Sequence, residues 1–416
     1  MTQLAERQDR IAVSSELTVS PTTSPTSPSP RLTSLDGLRG VAALAVVLHH
    51  LYLIATPVLI QQDGSGIGSP DWWLSDTPLK LATAGAEAVL VFFVLSGLVV
   101  ALPAIQQKGF SWAGFLGGRM IRLYLPVWAS LALGTALLWL VPRDPSTVTD
   151  GSWLADSNAR STTVGSLLHQ AGLTQASYEV NNVLWSLRWE LAFSVLLPLF
   201  VAIAVLVRRL WWLAAAVAVV LGAVGTQTDT PALQYLPVFF LGTLLAVRLE
   251  VIREWTRRRM RRPRARLWSV GIVAGSLLML VSGWLIRPLL PSGTLGNDLV
   301  TDGEVIGALG LVVAAIGAPF LRRRLESRGC QWLGRISFSL YLVHVPILAT
   351  LAFALGDRRW WLIAVIGIPL SLLGGWLFHR AIERPSHRLA QWTAGRIATR
   401  IGHVRNLPRR VEPLEA

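Results

Sequence analysis

The chain has 416 residues, 52% of them hydrophobic and only 15% charged, with a formal net charge of +14 and a mean hydropathy of +0.49. A soluble domain carries about 25% charged residues, so long apolar runs between short charged clusters mark a polytopic, all-α membrane helix bundle. Basic loops on one side of a membrane account for the positive charge and leave no case for nucleic acid, while the single cysteine, Cys330, excludes an intrachain disulfide and a cysteine-rich metal site.

Residues 1–34 contain the run SPTTSPTSPSP and no aromatic side chain. Such a segment buries too little surface to offset its ordering entropy and is expected to be a disordered tail. No cleavable signal peptide is expected, because the first apolar run starts near Leu35 and is too long. A membrane-spanning helix needs ~20 apolar residues. Ten runs qualify, at about 35–56, 84–104, 119–141, 183–207, 210–227, 232–249, 267–286, 303–321, 336–355 and 360–381. Together they predict about ten transmembrane helices in a domain spanning 35–384, followed by a short basic tail at 385–416.

Charge in the connections sets the orientation. Segments 105–122, 208–209, 248–266 and 322–335 hold 3, 2, 9 and 5 Lys or Arg, against six in all the opposite connections. The basic set is expected inside, which puts both termini in the cytoplasm. The longest external connection is then 142–182, with Asp144, Asp150, Asp156, Trp153 and His169 among small polar residues. It could cap a substrate site or stand as a plain solvated loop.

The stretch Leu35–Leu53 carries the first chemical signal. It opens with Asp36 and Arg39 and holds His49 and His50 deep in its apolar run. A charged side chain near the bilayer centre costs at least about 2.5–3.5 kcal/mol, so such residues call for a reason. At about 100° per residue, the eleven steps from Arg39 to His50 return to within roughly 20° of one face. His49 lies about 80° from Arg39, and Asp36 about 60°. Arg39 and His50 therefore share a stripe with roughly 16 Å of rise between them.

Glu190 is expected about as far below the outer surface as His50, roughly 10 Å against 9 Å. A carboxylate beside an imidazole would hold its tautomer and stabilise its protonated form. That suits a general base working on an alcohol as it attacks an acyl carbonyl. The same pair would also suit a proton relay in a secondary transporter, and either residue alone could serve helix packing in a non-catalytic scaffold.

Arg119 and Arg122, at i and i+3, share one helix face. Their guanidinium forks suit phosphate oxygens, although arginines at an inner helix end also serve topology. His344 lies roughly 12 Å inside its run, with Tyr341 three residues before it on the same side. Ser96 reads as a small residue that lets helices approach, and Glu383 as an ion-pair partner for an arginine. Trp72, Trp73, Trp360 and Trp361 fit interfacial belts. No phosphate loop, dinucleotide fingerprint or metal-spaced His/Cys cluster occurs.

The spacing Arg39–His50 after SLDGLRG resembles the first helix of the bacterial membrane acyltransferase-3 family. VFFVLSG (91–97), RMIRLYLP (119–126), LWSLRWELAFSVLLP (184–198), ISFSLYLVHVPI (336–347) and IERP (382–385) follow in the same order. The resemblance covers about residues 33–386. It implies an integral O-acyltransferase of the bacterial plasma membrane. Such a protein passes an acyl group, most often acetyl, from cytoplasmic acyl-CoA to a hydroxyl of a glycan or glycosylated small molecule. No tightly bound cofactor or metal is implied; acyl-CoA is a co-substrate. His50 and Glu190 become the catalytic candidates and Arg39, Arg119 and Arg122 the donor-binding ones. Asp36, Tyr341 and His344 are further candidates.

Overall fold

A computed structural model describes residues 32–107, 109–174, 178–286 and 295–405; most of the expected N-terminal tail, residues 1–31, lies outside them. Each of the ten apolar runs falls on a helix. These are α1 (Thr33–Asp63), α2 (Gly85–Gln106), α3 (Trp112–Leu140), α4 (Leu184–Leu206) and α5 (Trp211–Gln227). There follow α6 (Pro231–Val247), α7 (Ala265–Leu280), α8 (Leu295–Gly317), α9 (Arg328–Leu355) and α10 (Trp360–Phe378). A further basic helix, α11 (Arg384–Arg405), closes the described chain.

The all-α membrane bundle is as expected, and the expected count of about ten spans compares with seven to nine. Among the described residues, seven helices are long and apolar enough to cross a membrane, and nine if two bent pairs each count as one span. The bent pairs are α6 with Leu249–Met260, at 70°, and the 302–317 part of α8 with Pro319–Leu325, at 88°. Pro319 explains the second bend, since a proline forces the preceding residue out of the helical region; Ala318 has φ −88° and ψ 110°. The seventh run, 267–286, gives only the 16-residue α7, about 24 Å long and so short of a ~30 Å hydrocarbon core.

Glycines fix the crossings that frame the site. α1 lies along α9, and α2 along α6. A Cβ on Gly40 would stand 2.4 Å from the Gly334 nitrogen, and one on Gly334 2.3 Å from the Asp36 carbonyl oxygen. On the other crossing, a Cβ on Gly97 would stand 2.1 Å from the Phe239 carbonyl oxygen. Between membrane helices, such close approach is a main source of packing attraction. The small residue that does this work is Gly97, whereas its neighbour Ser96 faces a cleft.

α9 carries Pro346, which has no N–H to give to the Leu342 carbonyl four residues earlier. Asn181 repairs the gap: its Nδ2 donates to the Leu342 oxygen at 2.8 Å and to Ser130 Oγ at 3.2 Å. The connection holding Asn181 is therefore no plain loop. It forms short helices at Trp153–Ser157 and Val164–Ala171, and Leu154, Leu173 and Tyr178 are buried in the core. Arg143 pins it, donating to Asn158 Oδ1 at 3.4 Å and the Ala159 carbonyl at 3.1 Å. Burial pulls the Arg143 guanidinium down to about 10, which leaves it charged at neutral pH.

At the far end, α10 passes through a π-helical turn, His379–Glu383, into α11. The turn folds Glu383 inward, where it accepts from Ser339 Oγ at 2.5 Å and meets His379 Nδ1 at 2.9 Å. The acidic partner expected to pair with an arginine is thus held by a serine and histidines. α11 then runs back along α3, where Gly114 and Gly118 leave room for the Ala394 and Ala390 carbonyls.

Candidate active site

Five of the eight side chains singled out in the sequence line one cleft. Arg39 comes from α1, Arg119 and Arg122 from α3, Glu190 from α4 and Tyr341 from α9. Phe92, Phe93 and Ser96 of α2 complete one wall. The cavity volume is about 80 Å³.

An ion pair organises the charged part. Arg119 Nη2 bonds Glu190 Oε1, and its Nε donates to Ser194 Oγ at 3.1 Å. Ser96 Oγ donates to the same Glu190 oxygen at 3.3 Å. Glu190 and Ser194 stand one turn apart on α4, so both reach Arg119 from one helix face. Arg39 and Arg122 make no hydrogen bond or ion pair among the described residues. Three arginines thus face one glutamate, and two guanidiniums remain available to an anionic group.

Tyr341 closes the other part of the cleft. Its hydroxyl lies 2.7 Å from Ser186 Oγ and donates to the Val183 carbonyl at 3.2 Å. Beyond it stands His344, with ring centroids 6.0 Å apart, and beyond that His50. His344 Nε2 lies 3.2 Å from His50 Nδ1. Each Nδ1 also lies 2.9 Å from the carbonyl four residues before it, Val46 for His50 and Leu340 for His344. Trp153, from the long connection, covers the pair, its ring centroid 5.1 Å from that of His50.

The expected meeting of His50 with Glu190 does not occur. Glu190 is engaged with Arg119 and Ser96, and the partner of His50 is His344. Residue counts along two helix axes said nothing about which way α4 turns. Two helix ends also lie elsewhere than the apolar runs suggest. α3 starts at Trp112, so Arg119 stands seven residues, roughly 10 Å, inside its helix rather than at the end. α1 runs on to Asp63, thirteen residues past His50.

The two adjacent histidines part as the helical count requires. His50 faces α9, whereas His49 turns to the start of α2, where its Nδ1 lies 2.9 Å from the Thr83 carbonyl oxygen. Asp36 lies outside the cleft, with its carbonyl packed against Gly334. Ser96, Ser186, Ser194, Asn181 and Trp153 are side chains that were not among the eight site candidates. The first three stood inside quoted motifs, and Ser186 and Ser194 each lie four residues from Glu190. Asn181 and Trp153 carried no periodic signal. No group of three or more His, Cys, Asp or Glu side chains suited to a metal ion occurs among the described residues.

The fold and cleft define a multi-pass helical membrane protein with a charged pocket that leads to buried imidazoles. Residues 32–380 match the acyltransferase-3 family, described as an acyltransferase domain, and the chain belongs to that family. It is 28% identical over 387 residues to acyltransferase MdmB of Streptomyces mycarofaciens, covering 86% of this chain and 92% of the relative. It is 29% identical over 393 residues to O-acetyltransferase PaAT-1 of Phomopsis amygdali, covering 80% and 75%. Acyltransferase R4 of a Phoma species is 23% identical over 458 residues, covering 86% and 94%. No solved structure matches. The protein is an acyltransferase enzyme, and the transporter and scaffold readings give way to that.

Proposed function

We propose that this enzyme is an O-acyltransferase of the bacterial plasma membrane. It moves an acyl group, acetyl in the simplest case, from acyl-CoA to a hydroxyl of a glycan or glycosylated small molecule. The observation that carries the reading is the single cleft of Arg39, Arg119, Arg122, Glu190 and Tyr341 that ends one side chain short of the His344–His50 pair. The free guanidiniums of Arg39 and Arg122 suit the donor's phosphates, and the narrow inner part suits its thioester arm. An oxygen acceptor and an acetyl donor agree with the name of the fungal relative.

In the transfer, the acceptor oxygen attacks the thioester carbonyl while its proton passes to His50. Collapse of the tetrahedral intermediate breaks the C–S bond, and the same proton leaves with the thiolate as CoA–SH. Tyr341 or Phe92 must move aside for the arm to reach His50, since the pair stands behind them. The basic connections support a cytoplasmic position for the arginine end of the cleft and for both chain termini. Acyl-CoA then enters from within.

Purified protein in nanodiscs, given acetyl-CoA and extracts of cell-envelope glycans or secreted metabolites, should release CoA–SH and acetylate a hydroxylated product detectable by mass spectrometry. Silence with every extract, alongside tight acetyl-CoA binding, would move the acceptor outside this class. A Ser157→Cys probe in a Cys330→Ser background should be labelled from outside intact cells. Labelling only after permeabilisation would reverse the orientation.

A further inference from the structure

The His50–His344 contact carries a consequence for proton location. A backbone carbonyl only accepts hydrogen bonds, so an imidazole nitrogen 2.9 Å from one must carry the proton. His50 Nδ1 faces the Val46 carbonyl and His344 Nδ1 the Leu340 carbonyl, each at that distance. Both neutral rings are therefore protonated at Nδ1 and bare at Nε2. The bare Nε2 of His344 points at His50 Nδ1, 3.2 Å away. His50 Nδ1–H is then shared between the Val46 carbonyl and His344, and His50 Nε2 makes no hydrogen bond among the described residues. The geometry is self-consistent in one direction only. If His344 carried its proton on Nε2 instead, its bare Nδ1 would confront the Leu340 oxygen.

We infer that His344 is a positioning residue for His50: it accepts the Nδ1–H, so that the His50 Nε2 lone pair is the one offered to the acceptor hydroxyl. This rests on the general-base reading above and extends it. The arrangement gives a neutral counterpart to the carboxylate that orients imidazole in hydrolytic triads. A neutral orienter has a reason here. An additional ionised carboxylate in the bilayer interior would need its own partner, and the nearby Glu190 is already committed to Arg119. Once His50 has taken the proton, its Nδ1–H bond to His344 becomes charge-assisted and strengthens as the positive charge develops. His344 itself is fully buried, which keeps competing water from its Nε2.

A matched pair of amides tests this. In His344→Asn the amide reaches the Nδ1 position and keeps the Leu340 contact, but falls short of His50. In His344→Gln the amide oxygen reaches the Nε2 position and can accept from His50. Any general cost of an amide on α9 falls on both. Turnover in His344→Asn should drop about 10- to 100-fold, the scale of one hydrogen bond to a charged group. The acetyl-CoA KM should be unchanged, and His344→Gln should recover most of the loss. In ¹⁵N spectra of histidine-labelled protein, the protonated Nδ1 and bare Nε2 signals of His50, assigned by their absence in His50→Gln, should persist in the Gln variant and average toward mixed tautomers in the Asn variant. Equal loss in both variants, or an Asn variant with wild-type turnover or with unaltered His50 signals, would overturn the role. A fully active His50→Gln would instead remove the base on which it rests.

Discussion

The arginine half of the site and the histidine half solve the problem of buried polarity in opposite ways. Around Arg119 the solution is charge against charge: a guanidinium, a carboxylate and two serine hydroxyls saturate one another, while Arg39 and Arg122 stay open to a visitor. Around His50 no carboxylate stands among the described residues. Two imidazoles share protons with helix carbonyls and with each other under a tryptophan. The first arrangement suits holding an anion, because spare positive charge faces an accessible cleft. The second suits moving a proton, because neutral rings in a closed place can change state at little cost to their neighbours. On the proposed function, recognition falls to the first half and chemistry to the second.

The largest expected effect separates the adjacent histidines. His50→Gln keeps a hydrogen-bonding side chain but cannot take a proton, and should lower turnover about 10²–10⁴-fold. His49→Ala should retain most activity, since its Nδ1 is turned to the Thr83 carbonyl at the start of α2. A dead His49 variant beside an active His50 variant would place the chemistry on the wrong face of α1.

Next comes the ion pair. Arg119→Ala leaves Glu190 partly buried without its counter-charge, and removing one partner of a buried pair costs about 3–5 kcal/mol. With the Glu190 side chain 20% exposed in the cleft, the lower end of that range applies. The double variant Arg119→Ala with Glu190→Gln should regain thermal stability without regaining acetyl-CoA affinity. If stability stayed low in the double variant, the pair would not be what holds α3 to α4 here.

These two cases show how far the chain alone could be read. The ten apolar runs, the face shared by Arg39 and His50, and the grouping of the cleft arginines followed from hydropathy, helical period and motif order. Partner choice did not. Residue counts along an axis could not name the partner of Glu190, because its neighbours depend on the rotation of α4 and on α3 beginning seven residues early. The Trp153 connection was silent for another reason: its short helices are set by contacts with α1, α3 and α9 rather than by any repeat of their own. The need for Asn181 was half visible, because Pro346 announces an orphaned carbonyl without saying what will cap it.

Asn181→Ala should therefore cost about 1–3 kcal/mol, the penalty for leaving the buried Leu342 carbonyl unsatisfied, as read by thermal unfolding in detergent. Asn181→Asp, which offers no donor when ionised, should not rescue it. An unchanged melting temperature for both would mean that another donor or a water caps the carbonyl. The smallest effect is expected at Trp153→Phe, which keeps an aromatic cover over His50 and should change turnover less than Trp153→Ala. Equal effects would remove the cover from the account.

Acetyl-CoA binding and transfer, measured separately on the same two variants, test the division of labour most directly. His50→Gln should bind acetyl-CoA in nanodiscs as tightly as the wild type and transfer almost nothing. Arg122→Ala should bind about tenfold more weakly, the scale of one charge-assisted contact, and recover turnover when acetyl-CoA is raised to saturation. The reverse pattern, weak binding in His50→Gln with full binding and no turnover in Arg122→Ala, would contradict the assignment of recognition to the arginine half and chemistry to the histidine half.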